Sequence, residues 1–254
     1  MKETVIGAQL YTLRDYLKTP ADIARTLSKV RKIGYQAVQV SALGPIAPKE
    51  LRKILDNEGL YACATHIGID VLTKETRKVI EEHKILGAKY VVCPGLPTEL
   101  HNAKGYRKVA KELSRVGRIL AKSGLVLAYH NHAIEFEKYG DRLGLEILFE
   151  ESDPKYLQAE IDTYWVAYGG GDPADWCLRC AGRLPVVHLK DMGIQKNQQI
   201  MMEIGEGNLD WKTILSACKK AGTEWYLVEQ DTCQRHPMES LKISLDNLHR
   251  MGLK

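Results

Sequence analysis

Of the eight histidines in this 254-residue chain, four sit at or just beyond the end of a short apolar run. His66 closes Leu60-Tyr-Ala-Cys-Ala-Thr-His66, and His130 closes Leu125-Val-Leu-Ala-Tyr-His130, with His132 two residues on. His188 closes Arg183-Leu-Pro-Val-Val-His188. Two carboxylates hold the same position in other runs: Asp162 ends Tyr156-Leu-Gln-Ala-Glu-Ile-Asp162, and Glu229 ends Thr223-Glu-Trp-Tyr-Leu-Val-Glu229. One such residue alone is ordinarily a helix cap or a satisfied polar group. His130, Asp162, His188 and Glu229 at equivalent heights of successive runs are a different matter. Two imidazoles and two carboxylates brought together are costly unless a cation accepts their lone pairs. One divalent metal ion is therefore expected. The mixed nitrogen and oxygen set suits Mn²⁺, Co²⁺, Zn²⁺ or Fe²⁺; Mg²⁺ fits less well, and Ca²⁺ prefers oxygen alone.

The elements that must carry these residues repeat. An amphipathic segment, a glycine and a β-rich run recur at Gly34, Gly59, Gly87, Gly124, Gly182 and Gly222. Glycine suits the left-handed residue that ends a helix. The runs are nearly continuous in apolar and β-branched residues, as strands of a parallel sheet are when both faces are covered. Val5-Ile-Gly-Ala-Gln-Leu-Tyr11 and the 156–162 run, which follows the turn signal Ser152-Asp-Pro, complete eight strands. Helix-period segments follow at 20–32, 48–58, 74–86, 103–122, 144–151, 173–181, 211–220 and 237–250. This alternation is α/β, and eight copies predict a single (β/α)8 TIM barrel over residues 1–254. An open nucleotide-binding sheet would carry a glycine-rich turn after its first strand. Here that turn, Tyr11-Thr-Leu-Arg-Asp15, has no glycine, and neither GxGxxG nor a Walker A motif occurs. Barrel chemistry sits at the C-terminal strand ends, where these polar residues fall.

Composition excludes other classes. The net charge of +4 demands neither nucleic acid nor an anionic membrane. No apolar run approaches the ~18 residues of a spanning helix. The N-terminal ten residues lack signal-peptide features, so the expected location is cytoplasmic. Cys63, Cys93 and Cys233 read as buried thiols, and Cys177-Leu-Arg-Cys180 is a single CxxC without the second pair a zinc site wants. His83, His101, His236 and His249 read as surface residues.

Six segments jointly resemble the sugar phosphate isomerase/epimerase superfamily of xylose isomerase-like barrels, along essentially the whole chain. They are Gln9-Leu-Tyr-Thr-Leu-Arg14, Tyr129-His-Asn-His-Ala-Ile-Glu-Phe136, Asp162-Thr-Tyr-Trp-Val166, His188-Leu-Lys-Asp191, Gly205-Glu-Gly-Asn-Leu-Asp-Trp211 and Val228-Glu229. The resemblance implies one divalent metal held by Glu, Asp, His and Glu from the last four strands. Asp162, His188 and Glu229 match three of these positions. His130 stands where the first Glu is expected, and Glu135 is the alternative fourth ligand. Trp165 stands where epimerase-like members carry a His, and as a wall it suits the apolar face of a sugar ring. Members that are three-zinc endonucleases would match at His66, but Cys93 replaces one of their histidines and the charge is mild.

The implied activity is a metal-dependent isomerase or epimerase acting beside the carbonyl of a small sugar, keto-sugar or polyol, without a phosphate site. Glu229 is the expected base, with Glu135 or His130 on the other side. Lys190 either stabilises an oxyanion or pairs with Asp191 or another carboxylate. Tyr11, His66, His132 and Trp165 are expected to line the substrate pocket. A metal-dependent lyase or hydrolase of keto-sugar glycosides, and a non-catalytic sugar-binding barrel, are the alternatives. A site of ion pairs alone, His188 with Asp191 and Glu229 with Lys190, is a further one. The family's habit implies a homodimer or homotetramer.

Overall fold

The computed structural model describes residues 6–254. Eight parallel strands close into a barrel in chain order, each hydrogen-bonded to its neighbours in sequence and the last to the first. The strands are β1 (Ile6–Gln9), β2 (Ala37–Val40), β3 (Tyr61–His66) and β4 (Tyr90–Cys93). They continue as β5 (Val126–His130), β6 (Leu157–Asp162), β7 (Val186–Leu189) and β8 (Trp225–Val228). The outer helices are α1 (Pro20–Ile33), α2 (Pro48–Glu58), α3 (Thr76–Leu86) and α4 (Ala103–Ala121). After them come α5 (Gly144–Glu150), α6 (Pro173–Arg179), α7 (Trp211–Ala221) and α8 (Pro237–Arg250). This is the (β/α)8 TIM barrel expected from the repeat. No helix among the described residues is long and apolar enough to cross a membrane.

Local chemistry sets the boundaries. α1 begins in a capping box: Thr19 accepts from the Asp22 backbone N–H, and the Asp22 carboxylate accepts from Thr19. Gly87 ends α3 in the left-handed region at φ 73°. α4 is started by Asn102, whose side chain accepts from the Gly105 N–H, and it buries Tyr106, Val109, Ala110, Leu113, Val116 and Leu120. Within it Gly117 lies so close to the Tyr156 carbonyl that a Cβ would stand 1.9 Å from that oxygen. The helix can therefore approach the start of β6 only with glycine there.

The barrel interior is layered by the two-residue period of its strands. Ala37, Ala64, Ala128, Val186 and Leu227 belong to an apolar cluster that also holds Tyr90 and Trp225. Two residues on along the same faces stand Gln39, His66, His130, His188 and Glu229. The interior is thus apolar at the base and polar at the mouth. A larger apolar cluster lies between strands and helices.

Several details differ from the sequence reading. The predicted first strand starts at Val5, outside the described residues, and ends at Gln9 rather than Tyr11. There the Gln9 side chain accepts from the Tyr11 N–H at 3.1 Å and starts a 3-10 helix, Leu10–Tyr16. A short helix, Ile69–Lys74, precedes α3, and another, Thr163–Tyr168, follows β6 directly. An antiparallel hairpin pairs Asp191–Gln195 with Gln198–Met202 around Lys196 and Asn197, both at positive φ. His83 is buried, not on the surface: its ring lies 2.6 Å from both the Thr65 hydroxyl and the Val79 carbonyl. His101 and Cys233 are half-buried. Cys177 is buried with its sulfur 3.6 Å from that of Cys218.

Candidate metal centre and active site

Strand register assembles the site. His130 on β5 is paired with Glu160 on β6, and Asp162 on β6 with His188 on β7. Glu229 follows β8, and Lys190 follows β7. One ligand atom each from His130, Asp162, His188 and Glu229 can be chosen so that all lie within 4.8 Å of one another, and all four residues are buried. His130 Nε2 is 3.2 Å from Asp162 Oδ2, and His188 Nδ1 is 2.9 Å from Glu229 Oε2.

A resident cation already stands among them. The Lys190 ammonium, fully buried, donates to Asp231 Oδ2 at 2.7 Å and forms ion pairs with Asp162 Oδ2 at 2.9 Å and Glu229 Oε2 at 2.8 Å. Of the alternatives left to Lys190 by the sequence, pairing with carboxylates is realised, but not with Asp191. Asp191 faces away and accepts from the Met192, Gly205 and Gly207 backbone N–H groups and from the Trp211 indole. The ion pair expected between His188 and Asp191 is accordingly not formed; the Glu229–Lys190 pair is, deep in the barrel rather than on its rim.

Charge explains the protonation of this group. Burial pushes the Asp162 carboxyl up, but Lys190, His130 and His188 outweigh it and hold it well below its ordinary value. Burial likewise raises Glu229, and Lys190 and His188 bring it below the usual carboxylate range. Burial opposes a proton on His188, yet Glu160, Glu229 and Asp162 raise it to about 10. Burial would also strip Lys190, and its three carboxylates keep it charged. Asp231 is shifted upward, first by burial and then by Glu229, against the pull of Lys190.

Beneath the cluster lies a second group that sequence reasoning missed. Glu160, fully buried, accepts from Gln39 Nε2 at 2.8 Å and lies 2.9 Å from His66 Nε2 and 3.2 Å from His188 Nε2. Gln39 Oε1 accepts from Gln9 Nε2 at 2.7 Å and stands 2.6 Å from His188 Nε2. Asp231 was also missed as a site residue. A signal was present for Glu160: it precedes Asp162 by two and so shares its strand face.

The expected pocket residues are spread around the mouth. His66 joins Glu160 and also lines a cleft of about 380 Å³ with Ser41, Thr65 and His83. His132 packs edge-on to His130 and tilted against Trp165, with ring centroids 4.8 and 5.6 Å away. Burial and the neighbouring His130 push its proton affinity down to about 3, so it is neutral. The Trp165 ring lies 5.5 Å from the Lys190 nitrogen, and its buried indole N–H has no partner among the described residues. Tyr11 is held at the rim by Arg14, whose guanidinium lies over its ring and donates to the Asp231 carbonyl. Glu135 does not join the four candidate ligands. Its oxygens accept from the Tyr129 hydroxyl at 2.6 Å and the His132 N–H at 2.8 Å, and burial raises its pKa.

The donor set fits a divalent cation. Its carboxylates are already drawn around one ammonium, and Glu160 and Asp231 add two more acidic groups beside them. With neutral imidazoles, four carboxylates face one lysine, and a doubly charged ion offsets most of the excess.

A family model for the xylose isomerase-like TIM barrel matches residues 27–251. The chain is 24% identical to the rhizopine catabolism protein MocC of Rhizobium meliloti over 91% of its own length and 82% of that protein's. It is 25% identical to an inosose dehydratase of Geobacillus kaustophilus, covering 89% of this chain and 86% of that one. Among solved structures it is similar to a sugar phosphate isomerase/epimerase from Parabacteroides distasonis, with a TM-score of 0.79, 25% identity, and 98% and 94% of the two chains covered.

Proposed function

The chain belongs to the xylose isomerase-like TIM barrel family, and from that premise we propose that it is a divalent-metal-dependent enzyme that removes a proton beside the carbonyl of a small unphosphorylated keto-sugar or keto-polyol. One observation carries this reading: His130, Asp162, His188 and Glu229 converge at the barrel mouth, next to a buried lysine. These four would hold Mn²⁺, Co²⁺, Zn²⁺ or Fe²⁺. When bound, such an ion polarises a substrate carbonyl as a Lewis acid.

The protein's own groups do the rest. Glu229 takes the proton from carbon, and the electron pair moves onto the carbonyl oxygen. Lys190 has three N–H donors; Asp231 on the solvent side keeps one, and the others are the supply for that developing oxyanion. Glu135 fixes the His132 loop and so acts on the pocket wall rather than on substrate. Tyr11, His132 and Trp165 wall the substrate in. Returning the proton to the other face or the neighbouring carbon gives epimerisation or isomerisation.

A second outcome is dehydration, in which a hydroxyl one carbon further leaves as water with a proton from the site. The inosose dehydratases among the relatives favour it, because an inosose is a cyclic keto-polyol. Both outcomes share the first step. Metal-reconstituted protein incubated in D2O with an inosose and a panel of ketohexoses, followed by proton NMR, separates them. Loss of the C–H signal beside the carbonyl is expected, with or without elimination. Bound metal with neither exchange nor elimination for any substrate would overturn the proposal.

A further inference from the structure

We propose that Glu160 is a positioning residue that decides which nitrogen of His188 faces the metal. The inference rests on the metal-binding reading above. His188 Nδ1 looks toward Glu229 and Asp162, and Nε2 looks down into the barrel. For Nδ1 to offer a lone pair, Nε2 must carry the hydrogen, and a chain of oriented groups below enforces this.

The chain can be followed from its ends. The Tyr11 backbone N–H, a donor that cannot reverse, holds Gln9 Oε1. Gln9 Nε2 is therefore a donor toward Gln39 Oε1, and Gln39 Nε2 in turn donates to Glu160 Oε1. Gln39 Oε1 and Glu160 Oε2 are both acceptors, and both face His188 Nε2, at 2.6 and 3.2 Å. Nε2 thus meets two oxygens and no donor. The same Glu160 oxygen meets His66 Nε2 and orients that ring as well. A carboxylate fits because both its oxygens accept. An amide at this position fits in neither orientation: one sets its NH2 against that of Gln39, the other aims it at the two imidazole nitrogens that must donate. Glu160→Gln therefore changes almost no volume and reverses one link of the chain. A partner of this kind behind a ligating histidine typically contributes about 10–100-fold to metal affinity.

The test uses zinc-loaded protein with ¹⁵N-labelled histidine. Long-range proton–nitrogen spectra of the wild type should show His188 bound through Nδ1 with a slowly exchanging Nε2–H. Chelator competition should show E160Q binding zinc about 10–100-fold more weakly. Glu160→Asp, which keeps two acceptor oxygens, should recover part of the loss. A role in folding alone would lower the melting temperature and leave zinc affinity and the His188 signals unchanged. That result in E160Q, or a wild-type His188 ligated through Nε2, would overturn the proposal; the wild-type spectrum decides even if E160Q does not fold. Wild-type protein that takes up no metal would instead remove the metal reading itself.

Discussion

Asp162 and Asp191 are both fully buried carboxylates near the barrel mouth, and the chain satisfies them by opposite means. Asp191 is closed in by neutral donors that cannot leave: four backbone N–H groups and the Trp211 indole, the last at 2.6 Å. A Cβ on Gly207 would lie 2.5 Å from its oxygen, so the Gly205–Trp211 loop is moulded around it. Asp162 also has fixed contacts, to the Trp165 N–H through Oδ1, but Oδ2 is held by Lys190, His130 and His188. Those partners are charged or can become so, and they can be exchanged for a metal ion or share themselves with substrate. A buried acid bound by backbone holds a loop, whereas one bound by titratable side chains holds a site. The strand-seven motif His188-Leu-Lys-Asp191 holds the backbone-bound acid and two titratable partners of Asp162 within four residues.

The contrast is sharpest in paired substitutions. Glu229→Gln should lower turnover about 10²–10⁴-fold and lower stability by less than the Asp191 change does, because Lys190 keeps Asp162 and Asp231 as partners. Asp191→Ala should do the reverse at the level of the fold. Its five donors lose their acceptor, a destabilisation of about 3–5 kcal/mol by urea titration. An unfolded Glu229→Gln, or a fully stable Asp191→Ala, would erase the distinction.

A pH titration probes the exchangeable side alone. Metal-free His188 keeps its proton up to about pH 10, against an ordinary value of 6.5, and must release it to ligate. Metal affinity should therefore rise with pH across that window, by about tenfold per unit, with one proton released per ion in calorimetry. In the metal-free protein the same proton stabilises the fold. Its contribution is complete below pH 6.5 and is lost as pH rises through 10, so the melting temperature should fall over that range. A metal-free protein equally stable at both ends would contradict the account of His188.

The smallest effect belongs to Trp165. Its buried indole N–H has no acceptor among the described residues, and in the proposed complex a substrate oxygen would supply one. Trp165→Phe should raise KM about 2–10-fold with kcat nearly unchanged, in steady-state assays on the substrate found by exchange.

Much of this was legible because each candidate ligand ends an apolar run, where strand termination and barrel topology leave few places for it to point. The eight outer helices were equally plain from their period, six of them with a glycine stop before the next strand. The partners of Glu160 and Gln39 were not: a polar residue inside an apolar strand shows no partner until closure brings β2, β6 and β7 around one axis. Glu135 was a candidate ligand because it lies near His130 in sequence, but Tyr129 and the His132 amide, both local, claim it first. His83 lies four residues after Val79 and three before Leu86, on the buried stripe of α3. That spacing carried the information, but the polar residue type concealed it. The hairpin after β7 lacked the usual glycine in its turn, which runs through Lys196-Asn197.

Gln9 joins two tasks in one amide. Its oxygen halts β1 and starts the following turn, while its nitrogen begins the chain of donors that runs beneath the candidate metal ligands. Variation at the first strand-to-helix turn therefore cannot be chemically silent. Anyone seeking to redirect this barrel to a new substrate should leave that turn alone. The better region to diversify is the opposite wall, where the loops after β4 and β5 frame a cleft of about 440 Å³ with Leu96, His101 and Ile134.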